Sequence, residues 1–167
     1  MIRALLLSFI WMISLNCFAQ TEQPKEPLYK RFPSVPPLRL LLTDSSTYFT
    51  KDDFSKKKAV LIMLFSPDCD HCQHKTEEII SHIDAFEKVQ IIMSTNLPFD
   101  KMLDFYNKYD LKRFDNIVVG RDVNFMLPVF YDIHNLPFLA FYNKKKELIS
   151  VFEGAMPLEK MLEELKK

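Results

Sequence analysis

The chain has 167 residues, room for one domain and a short leader. Its 48% hydrophobic content supports a buried core, and 22 Lys plus Arg balance 22 Asp plus Glu, so net charge gives no reason to expect nucleic acid or an anionic surface as partner. The two glycines, Gly120 and Gly154, are too few for a glycine-rich phosphate loop, which removes nucleotide-binding readings.

In chain order, the N-terminus reads as an export signal over residues 1–19. Arg3 supplies a positive start, and Ala4 to Leu15 is an apolar run, shorter than the roughly 20 residues a membrane span needs. Cys17-Phe18-Ala19 offers small residues for cleavage before Gln20, with an uncleaved anchor and a lipid on Cys17 as the alternatives. Cleavage would leave two of the three cysteines, too few for a disulfide framework, and would remove Trp11, the only tryptophan. Residues 20–35 carry Pro24, Pro27 and Pro33, just ahead of Pro36 and Pro37, and read as an extended tether to a domain over 36–167.

Within that domain Leu38 to Leu42 predicts a first strand. Ala59 to Phe65 is apolar throughout, as a central strand covered on both faces should be. Helical spacing of Cys72, Thr76, Ile79, Ile80, Ile83 and Phe86 predicts a helix from Cys69 to Phe86. A strand follows at Val89 to Met93, then a helix opened by Pro98, then a strand at Asn116 to Val119. Arg121 to Asp132 reads as helical, with Pro128 expected to break or kink it. Phe138 to Tyr142 and Glu147 to Phe152 make a hairpin around a solvated tip at Lys144 to Lys146, and Leu158, Met161, Leu162 and Leu165 mark a last amphipathic helix. The order implies an α/β fold, a mixed central sheet with helices on both faces.

The chemistry sits at Asp68-Cys69-Asp70-His71-Cys72, where a buried strand ends and a helix begins. A bare C-x-x-C is moderately specific; one at a strand-to-helix junction behind an export signal points to redox work. Cys69 at the helix N-terminus would have its thiolate favoured by free backbone N–H groups and the macrodipole. Cys72, one turn on, is close enough to close a disulfide, so Cys69 attacks a substrate disulfide and Cys72 resolves the mixed one. His71, if protonated, would make the pair more oxidising; Asp68 and Asp70 oppose it.

Zinc is the chemical rival, since Cys69, His71, Cys72 and His74 make C-x-H-C-x-H. Four ligands within six residues of one helix start would point around the helix, so no metal and no cofactor is expected. His82 and His134 read as ordinary surface residues.

These residues resemble the thioredoxin superfamily, in particular its exported TlpA-like and ResA-like branch, over roughly residues 36–167. The resemblance rests on Cys69 to Cys72 after the apolar strand and on Leu136-Pro137 before Phe138 to Tyr142. It implies a thioredoxin-like three-layer fold, a cis Pro137 opposite the disulfide, and Leu136 as the backbone contact for extended peptide. It further implies protein thiols and disulfides as substrates, an upstream thiol electron donor, and a periplasmic or extracytoplasmic location. Membrane contact is expected only if the N-terminal segment is retained or lipidated. Four positions depart from the pattern, one of them Leu136, which stands where Thr or a small aliphatic residue is usual before the proline. Asp68 replaces the tryptophan before the first cysteine, Met63 stands where thioredoxins carry a buried acid, and Lys75 stands where ResA-like proteins place a glutamate. His71, His74 and Glu78 are the substitutes on offer as proton acceptor for Cys72. Two other classes stay open. A peroxiredoxin-type peroxidase is one, although Ser66 fits its pattern and Ile62 replaces its proline. A redox-inert binding module is the other.

Overall fold

A computed structural model describes residues 26–167. The expected signal peptide, with Cys17 and Trp11, lies outside them. Seven strands form one mixed sheet in the order β2-β1-β5-β4-β3-β6-β7. They are β1 (Arg39–Leu42), β2 (Tyr48–Thr50), β3 (Ala59–Leu64), β4 (Val89–Thr95), β5 (Ile117–Asp122), β6 (Phe138–Tyr142) and β7 (Leu148–Glu153). The pairs β3–β4 and β4–β5 are parallel; all others are antiparallel. Helices α1 (Leu28–Arg31), α2 (Asp70–Ser81), α3 (Phe99–Lys108), α4 (Met126–Tyr131) and α5 (Leu158–Glu164) complete the chain.

Strand β3 is the centre of the molecule, and all six of its residues are buried. Its alternation feeds two cores. Leu61 and Met63, with Phe65 just beyond the strand, join Ile79 of α2, Met102 and Phe105 of α3 and Met161 of α5 on one face. Val60, Ile62 and Leu64 join Leu127, Phe130 and Tyr131 of α4 on the other. Each such side chain contributes roughly 1.5–3 kcal/mol on burial, so a strand apolar on both faces is held by both layers at once. That placement fixes the end of β3, where the dithiol begins.

The structure departs from the sequence expectations in four places. The long helix expected to reach Phe86 stops at Ser81, whose hydroxyl bonds the Glu78 carbonyl, and a 3-10 turn takes over at Ile83–Phe86. Such back-bonding competes with the helix ladder. The helix expected from Arg121 starts only at Met126. Arg121 and Asp122 extend β5, and buried Asp122 accepts the Leu127 N–H at 2.7 Å. Pro128 therefore falls in the first turn, where no intrahelical N–H is required, and does not break the helix. The edge strand β2, three residues long, was not expected. Finally, residues 26–35 of the segment read as an extended tether include the one-turn helix α1, and Leu28 and Tyr29 pack on the second core. Val35 donates to the Lys146 carbonyl, and Leu148 donates to the Pro33 carbonyl. Apolar Leu28, Tyr29 and Val35, between the prolines, give that segment surface to bury.

Candidate active site

The strand-to-helix junction is built by β3, α2 and α3 together. Phe65 donates its backbone N–H to the Ser94 carbonyl of β4 and stacks on Phe105 of α3, with ring centroids 4.5 Å apart. Pro67 is buried, and its carbonyl accepts the Gln73 side-chain amide at 2.8 Å. Gln73 also accepts from Lys108 of α3 at 2.9 Å. This one residue, unmarked in the sequence, ties the loop before Cys69 to two helices.

Cys69 is the N-cap of α2. Its sulfur accepts the Cys72 backbone N–H at 3.3 Å, and the Cys72 thiol at 2.8 Å. Both cysteines are free. Two donors thus converge on one sulfur at the start of the helix. Cys69 is half-buried and Cys72 is fully buried. Burial, reinforced by the hydrogen bond to Cys69, pushes the Cys72 thiol up from 9.0 to about 12. The pair is therefore asymmetric: an accessible sulfur that accepts, and an enclosed thiol that keeps its proton.

The flanking residues divide. Asp68, Asp70 and His71 are all exposed, and Asp68 lies 3.8 Å from the Lys101 ammonium. His74, also exposed, faces Glu77 at 3.4 Å. Among the described residues no three His, Cys, Asp or Glu side chains come together as a metal site. Lys75 is buried on the same helix face as Cys72, paired with Glu78 and donating to the Met156 carbonyl. The candidate acceptor Glu78 is thus already engaged by a cation.

The Leu136–Pro137 peptide bond is cis, and Pro137 is buried next to β6. Because β6 runs antiparallel to β3, with Phe138 opposite Leu64, this bond lies at the dithiol end of the sheet. Leu136 packs against the cluster that also holds Cys69 and Cys72. Neither its N–H nor its carbonyl takes part in a backbone hydrogen bond. The loop before it is clamped from β7: Glu153 accepts the His134 N–H and the Asn135 side-chain amide, each at 3.1 Å. The sequence carried no sign of this clamp, because its partners are 18 and 19 residues apart.

The chain has a thioredoxin-like fold. No protein-family profile and no curated protein matches the sequence; the likeness appears in solved structures. A secreted Mycobacterium tuberculosis disulfide oxidoreductase homologous to E. coli DsbE is 16% identical, over 78% of this chain and 95% of that one, with a TM-score of 0.64. The exposed lipoprotein thioredoxin Etrx1 of Streptococcus pneumoniae is 23% identical, over 77% and 97%, with a TM-score of 0.58. A peroxiredoxin-like protein from Aquifex aeolicus is 13% identical, over 80% and 84%, with a TM-score of 0.63. The thioredoxin-like fold thus hosts more than one sulfur chemistry, and the choice between them rests on the site.

Proposed function

We propose that the protein is an exported thiol–disulfide oxidoreductase that reduces disulfides in protein substrates through Cys69 and Cys72. One observation carries this reading: two sulfurs 2.8 Å apart at a helix start, one within reach of solvent and the other enclosed. Cys69 gives up its proton and its sulfur attacks one sulfur of a substrate disulfide; the substrate S–S bond breaks, the leaving sulfur takes a proton, and the other stays on Cys69 as a mixed disulfide. Cys72 then gives up its proton and attacks the Cys69 sulfur. The Cys69–Cys72 bond closes, and the released substrate sulfur takes a proton. Two electrons pass to the substrate, and an upstream dithiol donor returns the pair to the reduced state.

The unpaired backbone of Leu136 fits an extended peptide laid beside the dithiol. Export, to the periplasm or another extracytoplasmic space, is supported by the apolar run Ala4 to Leu15 and by the secreted and surface-exposed settings of two structural neighbours. The reading is tested with Cys72→Ser, which should trap substrate proteins as mixed disulfides on Cys69. Adding Cys69→Ser should abolish the adducts. Absence of any adduct would favour a redox-inert binding module.

A further inference from the structure

The zero net charge conceals a segregation. At the start of β3, about 20 Å along the strand from the dithiol, lies a groove of about 720 Å³. This is within the ~300–1,000 Å³ typical of small-molecule sites. Its floor is apolar: Ala59 and Val89 at the first residues of β3 and β4, Ala85 in the turn after α2, Leu162 on α5 and Leu165 at its C-cap. Its rim is cationic: Lys88 between α2 and β4, Lys144 and Lys145 at the β6–β7 tip, and Lys166 after α5. Among the described residues none of these four is in an ion pair. Lys167 lines the groove as well but is held by Glu164.

Four unpaired ammonium groups around a hydrocarbon floor call for a ligand with one anionic end and one apolar end. A peptide fits poorly. Ala59, Leu165, Lys166 and Lys167 already spend their backbone N–H groups on carbonyls of the fold. The Asn143 side chain is taken by Glu147 and by the Lys145 N–H. A peptide backbone on this floor would leave polar groups buried and unmatched, whereas an alkyl chain has none. A flat bilayer would meet the lysine rim and leave the concave floor unfilled.

We propose that this groove binds a single-chain anionic amphiphile, an alkyl tail on the floor and a carboxylate, sulfate or phosphate head among Lys88, Lys144, Lys145 and Lys166. The inference does not rest on the redox reading, since it uses none of the dithiol residues.

Laurate, titrated below its micelle concentration against protein with labelled Leu and Val methyls, tests it by NMR. Saturable shifts are expected at Val89, Leu162 and Leu165, and dodecyl maltoside, with an uncharged head on a tail one methylene longer, should bind ~10-fold more weakly or worse. The double variant Lys144→Glu/Lys145→Glu should also lose ~10-fold in laurate affinity. Ala85→Phe, at an exposed position, should fill the floor and block binding, with the remaining methyl spectrum confirming the fold. Equal affinity for laurate and dodecyl maltoside would overturn the proposal, as would laurate shifts confined to other methyls. Phosphatidylglycerol vesicles that capture the protein while monomeric laurate moves none of the three methyls would replace it with a membrane-facing surface. A Glu-rich peptide that moves them in laurate's place would replace it with a protein-docking groove.

Discussion

The two ends of β3 are opposite in design. At the C-terminal end, a loop, two helices and a clamped proline segment converge on two sulfurs, with the backbone of Leu136 left unpaired beside them. At the N-terminal end, short side chains leave a groove open and four lysines stand without partners. The same strand supplies the rigid base for both. The first end brings two sulfurs into contact one helical turn apart. The second offers volume and charge with no reactive group among the residues that line it.

Substitutions can pull this contrast apart. The largest effect belongs to Cys69→Ser, which should abolish disulfide exchange altogether, measured as turnover of a disulfide substrate, because no other thiol in the described residues is accessible. The enclosure of Cys72 is next. Its folded-state value, about 12, lies above the ordinary 9.0, so its stabilisation of the reduced fold is complete below pH 9 and is lost as pH rises from 9 toward 12. Reduced protein should lose on the order of 3 kcal/mol across that window relative to Cys72→Ser, read from urea melts at each pH. Parallel losses in both proteins would show that Cys72 is not enclosed.

A smaller effect is expected at the proline loop. Glu153→Ala removes the acceptor for His134 and Asn135, should cost ~1–2 kcal/mol, and should raise KM for a peptide disulfide more than it lowers kcat. An unchanged KM would mean that the clamp does not position the peptide contact. The smallest effect belongs to the opposite end. Lys144→Glu/Lys145→Glu should leave the reduction potential of the dithiol unchanged, since ~20 Å exceeds the ~8 Å screening length at physiological salt. A shifted potential would mean that the two ends communicate.

The sequence made the β3 end easier to read than the rest, for physical reasons. A six-residue apolar strand followed by two cysteines one turn apart is a local pattern, and the local pattern decides burial, helix start and sulfur proximity together. The Gln73–Lys108, Lys75–Met156 and Glu153 contacts are not local. Each depends on elements brought together by the sheet, so Lys75 reads in the sequence only as a missing glutamate, whereas in the fold it is a buried cation tied to two partners. The helix expected from Arg121 starts late because Asp122 is bound into β5 and its carboxylate accepts the Leu127 N–H, a tertiary demand that outweighs periodicity. Charge placement is not local either: a sum over the chain gives zero and does not show that Lys88, Lys144, Lys145 and Lys166 line one groove.

The most direct test of the central claim is the reduction potential of the Cys69–Cys72 pair, equilibrated in glutathione buffers and read by alkylation mass shift. Cleavage after Ala19 would remove Trp11, the only tryptophan, so the readout is chosen to need no tryptophan fluorescence. The account predicts a single two-electron transition between a dithiol and an intramolecular disulfide, at or below about −250 mV for a reductant. A value near about −120 mV would make the protein a disulfide donor instead. Glutathione on Cys69 with no Cys69–Cys72 bond at any poise would contradict the account.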